Sequence, residues 1–180
     1  MADEKKWNYK EMLDNLYDGV YFVDPDRRIQ YWNRAAERIT GFEADDVVGR
    51  SCSDNILMHV DENGTSLCQG DCPLAATLKD GRPREVDVYL HHRKGHRLPV
   101  AVRVTPLRDE SGDLMGAVEV FSDISDKMAC FFRVQELEKL ACRDALTGLL
   151  NRRKFMEDAE AECERVRRYR LPLALLLLDV

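Results

Sequence analysis

Between residues 52 and 72 lie the side chains best suited to chemistry: Cys52, His59, Cys68 and Cys72. Three thiolates and an imidazole can form a tetrahedral zinc or iron site, with sulfurs about 3.5–4 Å apart. Cys68-x3-Cys72 is an acceptable ligand spacing, although less diagnostic than paired Cys-x2-Cys knuckles. Cys72 stands just before Pro73 at an expected helix start, where the helix dipole favours a thiolate and with it a redox role. The competing expectation is that these thiols are small, packed core residues. Haem is a further candidate. The Cys-x2-Cys-His attachment signature is absent, and a b-type haem would need an axial ligand such as a histidine. His91, His92 and His96 lie on or near a turn and are expected to face water.

The elements that must position these residues can be read from pattern. An acidic, aromatic helical lead-in runs from about Asp3 to Tyr17, with Trp7, Met12, Leu13 and Leu16 available for one face; Gly19 breaks it. Val20–Val23 and Ile29–Trp32 read as strands around the turn Asp24-Pro25-Asp26. Asn33 is an N-cap for a helix over Arg34–Thr40, and Gly41 ends it. The chain is then irregular to Pro73, apart from a short helical piece at Ala44–Val48. The Asp71-Cys72-Pro73 start predicts a helix to about Lys79. Three strands follow, Arg84–His91, Arg97–Leu107 and Leu114–Asp123, with Val86, Val88, Val100, Val102 and Val104 alternating as a half-buried antiparallel sheet requires. Ser125 to about Arg143 holds neither Gly nor Pro and reads as one helix. Asn151–Arg170 is a second, with a core-facing stripe of Phe155, Ala159, Cys163 and Val166. The apolar run Leu171–Leu178 reads as a buried strand of a parallel sheet.

The 180 residues, 44% apolar and 33% charged, suit one good core or one small domain with part of another. A net charge of −6 argues against a nucleic-acid partner. The N-terminus lacks an apolar signal region and no apolar run spans a bilayer, so no membrane association is expected. Six cysteines without a signal sequence suggest reduced thiols, and a cytoplasmic location is expected.

Asp18-Gly19-Val20, Val23-Asp24, Trp32-Asn33-Arg34-Ala35-Ala36, Thr40-Gly41-Phe42 and Val48-Gly49-Arg50 resemble the PAS family at matching spacing. So do Arg93-Lys94-Gly95, Pro106-Leu107 and Phe121-Ser122-Asp123-Ile124-Ser125. The resemblance implies an α+β PAS fold, an antiparallel five-stranded sheet flanked by short helices. It also implies a cavity whose contents vary across the family: haem, flavin, a small metabolite, a metal ion or nothing known. Tyr21, Trp32 and Phe42 are candidates to line it, with ordinary core packing as the alternative. Gly49-Arg50-Ser51-Cys52 resembles the photoreactive cysteine motif of flavin-binding LOV domains. The rest of that motif is missing, and Leu90 and Val100 stand where LOV domains use asparagine, so flavin photochemistry is not expected.

A second resemblance is shorter. Asp144-Ala145-Leu146-Thr147-Gly148-Leu149-Leu150-Asn151-Arg152-Arg153 looks like the entry motif of GGDEF diguanylate cyclase domains, and 171–180 resembles that family's first core strand. The resemblance assigns Asp179 a magnesium-holding role. The chain stops at Val180, before the family's signature loop and guanine-binding residues would appear, so it is expected to have no cyclase activity of its own. Magnesium and GTP belong only to an intact parent, expected to make cyclic di-GMP.

The expected organisation is an N-terminal helical cap over 1–18, a PAS sensor domain over 19–125, a signalling helix over 126–143 and a truncated GGDEF start over 144–180. On the signalling helix, Met128, Phe131, Val134, Leu137 and Ala141 recur at helical spacing, widened by Leu140, and suit a parallel homodimeric coiled coil. The alternative is that the stripe packs on its own sheet. Three readings therefore stand open: a bacterial sensory input module of a diguanylate cyclase, a cysteine-based metal or redox sensor, and a pure dimerisation module without ligand.

Overall fold

Asn33 shows how local chemistry sets this architecture. Its Oδ1 accepts from the amides of Val20 (2.9 Å) and Ala36 (2.8 Å), and its Nδ2 donates to the carbonyls of Leu13 (2.9 Å) and Asp18 (3.0 Å). One fully buried amide thus caps a helix and ties it to the first strand and the N-terminal turn. The computed structural model describes residues 8–54, 56–68 and 70–176. It divides into two compact units, Met1–Asp126 and Lys127–Val180.

In the first unit, helix α1 (Tyr9–Asp14) precedes strands β1 (Gly19–Val23) and β2 (Ile29–Trp32), then helices α2 (Arg34–Thr40), α3 (Ala44–Val47) and α4 (Pro73–Asp80). Strands β3 (Arg84–His91), β4 (Arg97–Arg108) and β5 (Leu114–Asp123) follow, and helix α5 (Ser125–Cys142) begins at their end. The sheet is five-stranded and antiparallel, in the order β2-β1-β5-β4-β3. This is the expected α+β PAS fold. Gly41 closes α2 at φ 77°, a left-handed position that an L side chain rarely adopts. Gly19 opens β1 rather than ending a helix, and a Cβ there would collide with the Phe121 ring.

Inward positions of the sheet build the core: Tyr21 and Val23 on β1, Val88 and Leu90 on β3, Val100, Val102 and Val104 on β4, and Ala117 and Phe121 on β5. Burying each such aliphatic side chain stabilises the fold by about 1.5–3 kcal/mol before entropy is counted. The irregular segment after α3 is anchored at both ends. Cys52 N donates to Arg27 O (2.9 Å), while Val60 pairs with Tyr89 on the edge of β3. Those ties bring Cys52, Ile56 and Leu57 into the core that the sheet lines.

In the second unit, the rest of α5 leads through a turn to helix α6 (Arg152–Tyr169). Asp144 Oδ1 organises that turn, accepting from the Thr147 amide (3.0 Å), the Thr147 hydroxyl (2.9 Å) and the Leu146 amide (3.2 Å). These bonds hold the Asp144 carboxyl below the usual carboxylate range. Asn151 caps α6 and donates to Ala141 O. Neither α5 nor α6 has a buried residue. The expected core-facing stripe of α6 is therefore uncovered, with Phe155 exposed and only Ala159 and Val166 partly buried. Residues 171–176 are not a strand, which is a correction; a parallel strand needs a neighbour to bond its backbone, and no strand pairs with them among the described residues. Asp179 lies outside the described residues.

Candidate functional site

Alternation along β5 carries Glu119 into the interior between Ala117 and Phe121, where it is fully buried. Its cross-strand neighbours are Tyr21 on β1 and Val104 on β4. His59, also buried, is brought over the sheet by the Val60–Tyr89 pairing, and its Nε2 lies 3.7 Å from Glu119 Oε1. That separation is too long for a hydrogen bond. Nor is it an ion pair. Burial pushes the Glu119 carboxyl up to about 8, against a smaller pull from Tyr21 and Arg27. Burial, aided by Arg97, lowers the His59 imidazole to about 4. Both groups are neutral near pH 7. Tyr21 is likewise held neutral, raised by burial first and by Glu119 second.

Arg27 is close enough for its charge to act on Glu119. It follows the turn made by Asp24, whose carbonyl accepts from Arg27 N (3.0 Å) and whose carboxylate accepts from Arg28 N (2.8 Å), and it takes a positive φ of 65°. Its Nη2 reaches Cys72 Sγ at 3.7 Å. Five buried side-chain atoms have no hydrogen-bond partner among the described residues: Arg27 Nε, His59 Nε2, His91 Nδ1 and both carboxyl oxygens of Glu119. Orphaned polar atoms are rare in protein interiors, because each costs about 1–3 kcal/mol. Four of the five belong to the Arg27, His59 and Glu119 side chains.

The three thiols of the expected quartet lie within the influence of the Arg27 guanidinium. Cys52 and Cys72 are buried and Cys68 partly so, and all three are free thiols. Among the described residues no three His, Cys, Asp or Glu side chains are placed to hold a metal ion. A guanidinium rather than a cation site lies against these thiols, and His59 turns toward Glu119 instead. Burial also raises Cys52 to about 12, despite Arg27, so a thiolate there is disfavoured. Cys68 is raised for the same reason. Cys72 occupies the N-cap of α4 without a side-chain cap bond.

The aromatic candidates separate. Tyr21 and Trp32 are buried and pack with Phe121, with ring centroids 5.3 Å apart for Tyr21–Trp32, 6.3 Å for Tyr21–Phe121 and 6.1 Å for Trp32–Phe121. Phe42 is only partly buried; its carbonyl accepts from Trp32 Nε1 (3.1 Å) and its ring lies 6.4 Å from His91. His92 and His96 stack on the surface at 4.3 Å, as a turn location suggests. His91 differs from expectation, being partly buried with an inward, unpartnered Nδ1. Leu90 and Val100 are fully buried inward residues and offer a flavin no polar contact from their side chains.

Sequence reasoning missed Glu119 and Arg27. The signal for Glu119 was a lone carboxylate inside the apolar run Gly116–Phe121, and for Arg27 a cation at the end of a turn that leads directly into β2.

The PAS domain family model matches residues 18–126. A diguanylate cyclase of Vibrio cholerae is 34% identical over 186 residues, covering 100% of this chain and 54% of that protein. The "Probable diguanylate cyclase DgcE" of Escherichia coli is 26% identical over 171 residues, covering 93% of this chain but 15% of the relative. Among solved structures, the PAS domain of a Colwellia psychrerythraea protein superposes with a TM-score of 0.55 at 18% identity, covering 66% of this chain and 95% of that one. The chain thus spans about half or less of the length of these curated relatives. No helix among the described residues is long and apolar enough to cross a membrane.

Proposed function

Since the chain belongs to the PAS domain family, we propose that it is the sensory input module of a diguanylate cyclase. It binds a small ligand inside the first unit and transmits through a dimeric α5 helix. The observation that carries the output is the match to the Vibrio cholerae diguanylate cyclase, which runs through the whole chain rather than stopping at residue 126. The turn around Asp144 and the helix after it are then the start of a GGDEF domain, whose later residues would supply the chemistry, with Asp179 as a magnesium ligand. Ligand binding is supported by the orphaned atoms of Arg27, His59 and Glu119. Dimerisation is supported by the exposed apolar side chains of Phe131, Val134 and Leu137 on α5.

In this mechanism the ligand bonds to Glu119 on β5, four residues before that strand ends at Asp123 and α5 starts at Ser125. A shift of β5 therefore has a short covalent path to the helix. The homodimer sets two catalytic domains face to face, and rotation of the paired helices gates their approach. Fusing the chain ahead of an active GGDEF catalytic domain that lacks its own input tests this. Cyclic di-GMP formation should exceed that of the catalytic domain alone and fall several-fold with Val134→Glu. Output indifferent both to the fused chain and to the substitution would overturn the proposal.

A further inference from the structure

Arg27 presents an unusual edge to the interior. Its Nε is buried without a partner, and the guanidinium otherwise meets only weakly accepting sulfurs, Cys72 at 3.7 Å from Nη2 and the Cys52 thiol. Among the described residues it forms no ion pair, since neither Glu119 nor any other carboxylate lies within pairing distance. The Nε–Nη2 edge of a guanidinium matches the two oxygens of a carboxylate, which it binds through two parallel hydrogen bonds. Within reach of its charge, Glu119 offers two unpartnered oxygens and His59 an unpartnered ring nitrogen, 3.7 Å apart. Tyr21, Trp32 and Phe121 supply apolar packing next to them.

We propose that the interior of the first unit takes a small organic acid, with its carboxylate on the Nε–Nη2 edge of Arg27 and a second polar group, a hydroxyl or keto oxygen, at Glu119 and His59. This rests on the reading of the domain as a ligand sensor and adds the chemical class. Charge favours an anion over an amine. With Glu119 and His59 held neutral by burial, Arg27 is the formal charge of the three, and a cationic ligand would meet repulsion without a carboxylate to offset it. A neutral carboxyl is also both donor and acceptor, so a hydroxyl or a keto oxygen can be satisfied there.

Calorimetry on the full chain, with L-lactate, L-malate, 2-oxobutyrate and 2-oxoglutarate as probes and lactamide as the uncharged match to lactate, decides the class. At least one acid should bind saturably, and lactamide at least tenfold more weakly than lactate if lactate is that acid. Arg27→Gln should weaken the acid at least tenfold, Arg27→Lys should recover part of the loss, and Glu119→Gln, which keeps a donor and an acceptor, should cost less than Arg27→Gln. Circular dichroism of each variant verifies that it folds. Lactamide binding as well as lactate, or an acid bound equally by folded Arg27→Gln, overturns the carboxylate class and leaves the sensor reading standing. Failure of all four acids also overturns the class. Native mass spectrometry of the protein as purified then separates the two readings: a bound non-acid keeps the sensor, and a bare chain that no cell extract changes removes it.

Discussion

The two units of this chain handle their apolar and polar groups in opposite ways. The first buries an aliphatic and aromatic core and then places polar atoms without partners in the middle of it. The second has no buried residue in either helix and leaves Phe131, Phe132, Leu137, Leu140 and Phe155 exposed. A core that completes itself except at one polar cluster suits the reception of something small. Helices whose apolar side chains nothing of their own unit covers suit a partner of large surface. The proposed division of labour between sensing and transmission rests on that contrast.

The strongest test of the self-sufficient first unit is Asn33→Leu. It strands the buried amides of Val20 and Ala36, and should destabilise the unit by about 3–4 kcal/mol in chemical denaturation. A loss under 1 kcal/mol would mean that the junction of α1, β1 and α2 is held elsewhere.

Second in size is the response to pH. His59, lowered from 6.5 to about 4, makes stability rise as pH climbs from 4 to 6.5, because only the unfolded imidazole is protonated there. Glu119, raised from 4.5 to about 8, acts oppositely: between these values only the unfolded carboxyl is ionised, so stability falls with rising pH. The two effects nearly cancel from 4.5 to 6.5. From 6.5 to 8 the Glu119 effect stands alone and should lower stability by about 2 kcal/mol. Of the groups facing it, Tyr21 and Cys52 are pushed above this window and Arg27 stays charged throughout it. Glu119→Leu should flatten that slope and stabilise the unit at pH 8, a change read from denaturation midpoints at the two pH values. An unchanged slope would place its origin in another group.

The second unit should respond in assembly rather than folding. Val134→Glu, at an exposed position, should change the stability of the first unit by less than about 0.5 kcal/mol while shifting the chain from dimer toward monomer in sedimentation. A variant that remains fully dimeric would move the contact off α5. The smallest effect should come from Asp144→Ala, which removes the acceptor of three bonds in the turn. Faster hydrogen exchange confined to the amides of Leu146 and Thr147 is expected, with the first unit unaffected.

The elements were far more legible than the site. The helix over Arg34–Thr40 with its Asn33 and Gly41 caps, and the strands Arg84–His91 and Leu114–Asp123, follow from capping chemistry and alternation that act within a few residues. Glu119 was hidden because Val118 and Val120 compete with Ala117 and Phe121 for the inward face, and only the pairing with β1 and β4 decides between them. The surroundings of the thiols were hidden for a related reason. Spacing brings Cys68 and Cys72 near each other, yet nothing in the spacing shows that Arg27, 45 residues from Cys72, lies against that sulfur. The strand expected from Leu171 failed because apolar composition specifies burial, whereas a strand also needs a neighbour for its backbone.

That an unpaired, neutral carboxyl sits in the core of the sensory unit can be measured directly by following the side-chain carboxyl carbon of Glu119 through a pH titration by NMR, with Glu119→Gln to assign the signal. A midpoint near 8 is the predicted result. A midpoint at or below the ordinary glutamate value of 4.5 would mean that Glu119 is ionised and paired inside the fold, and that the first unit has no neutral, unpaired carboxyl at its centre.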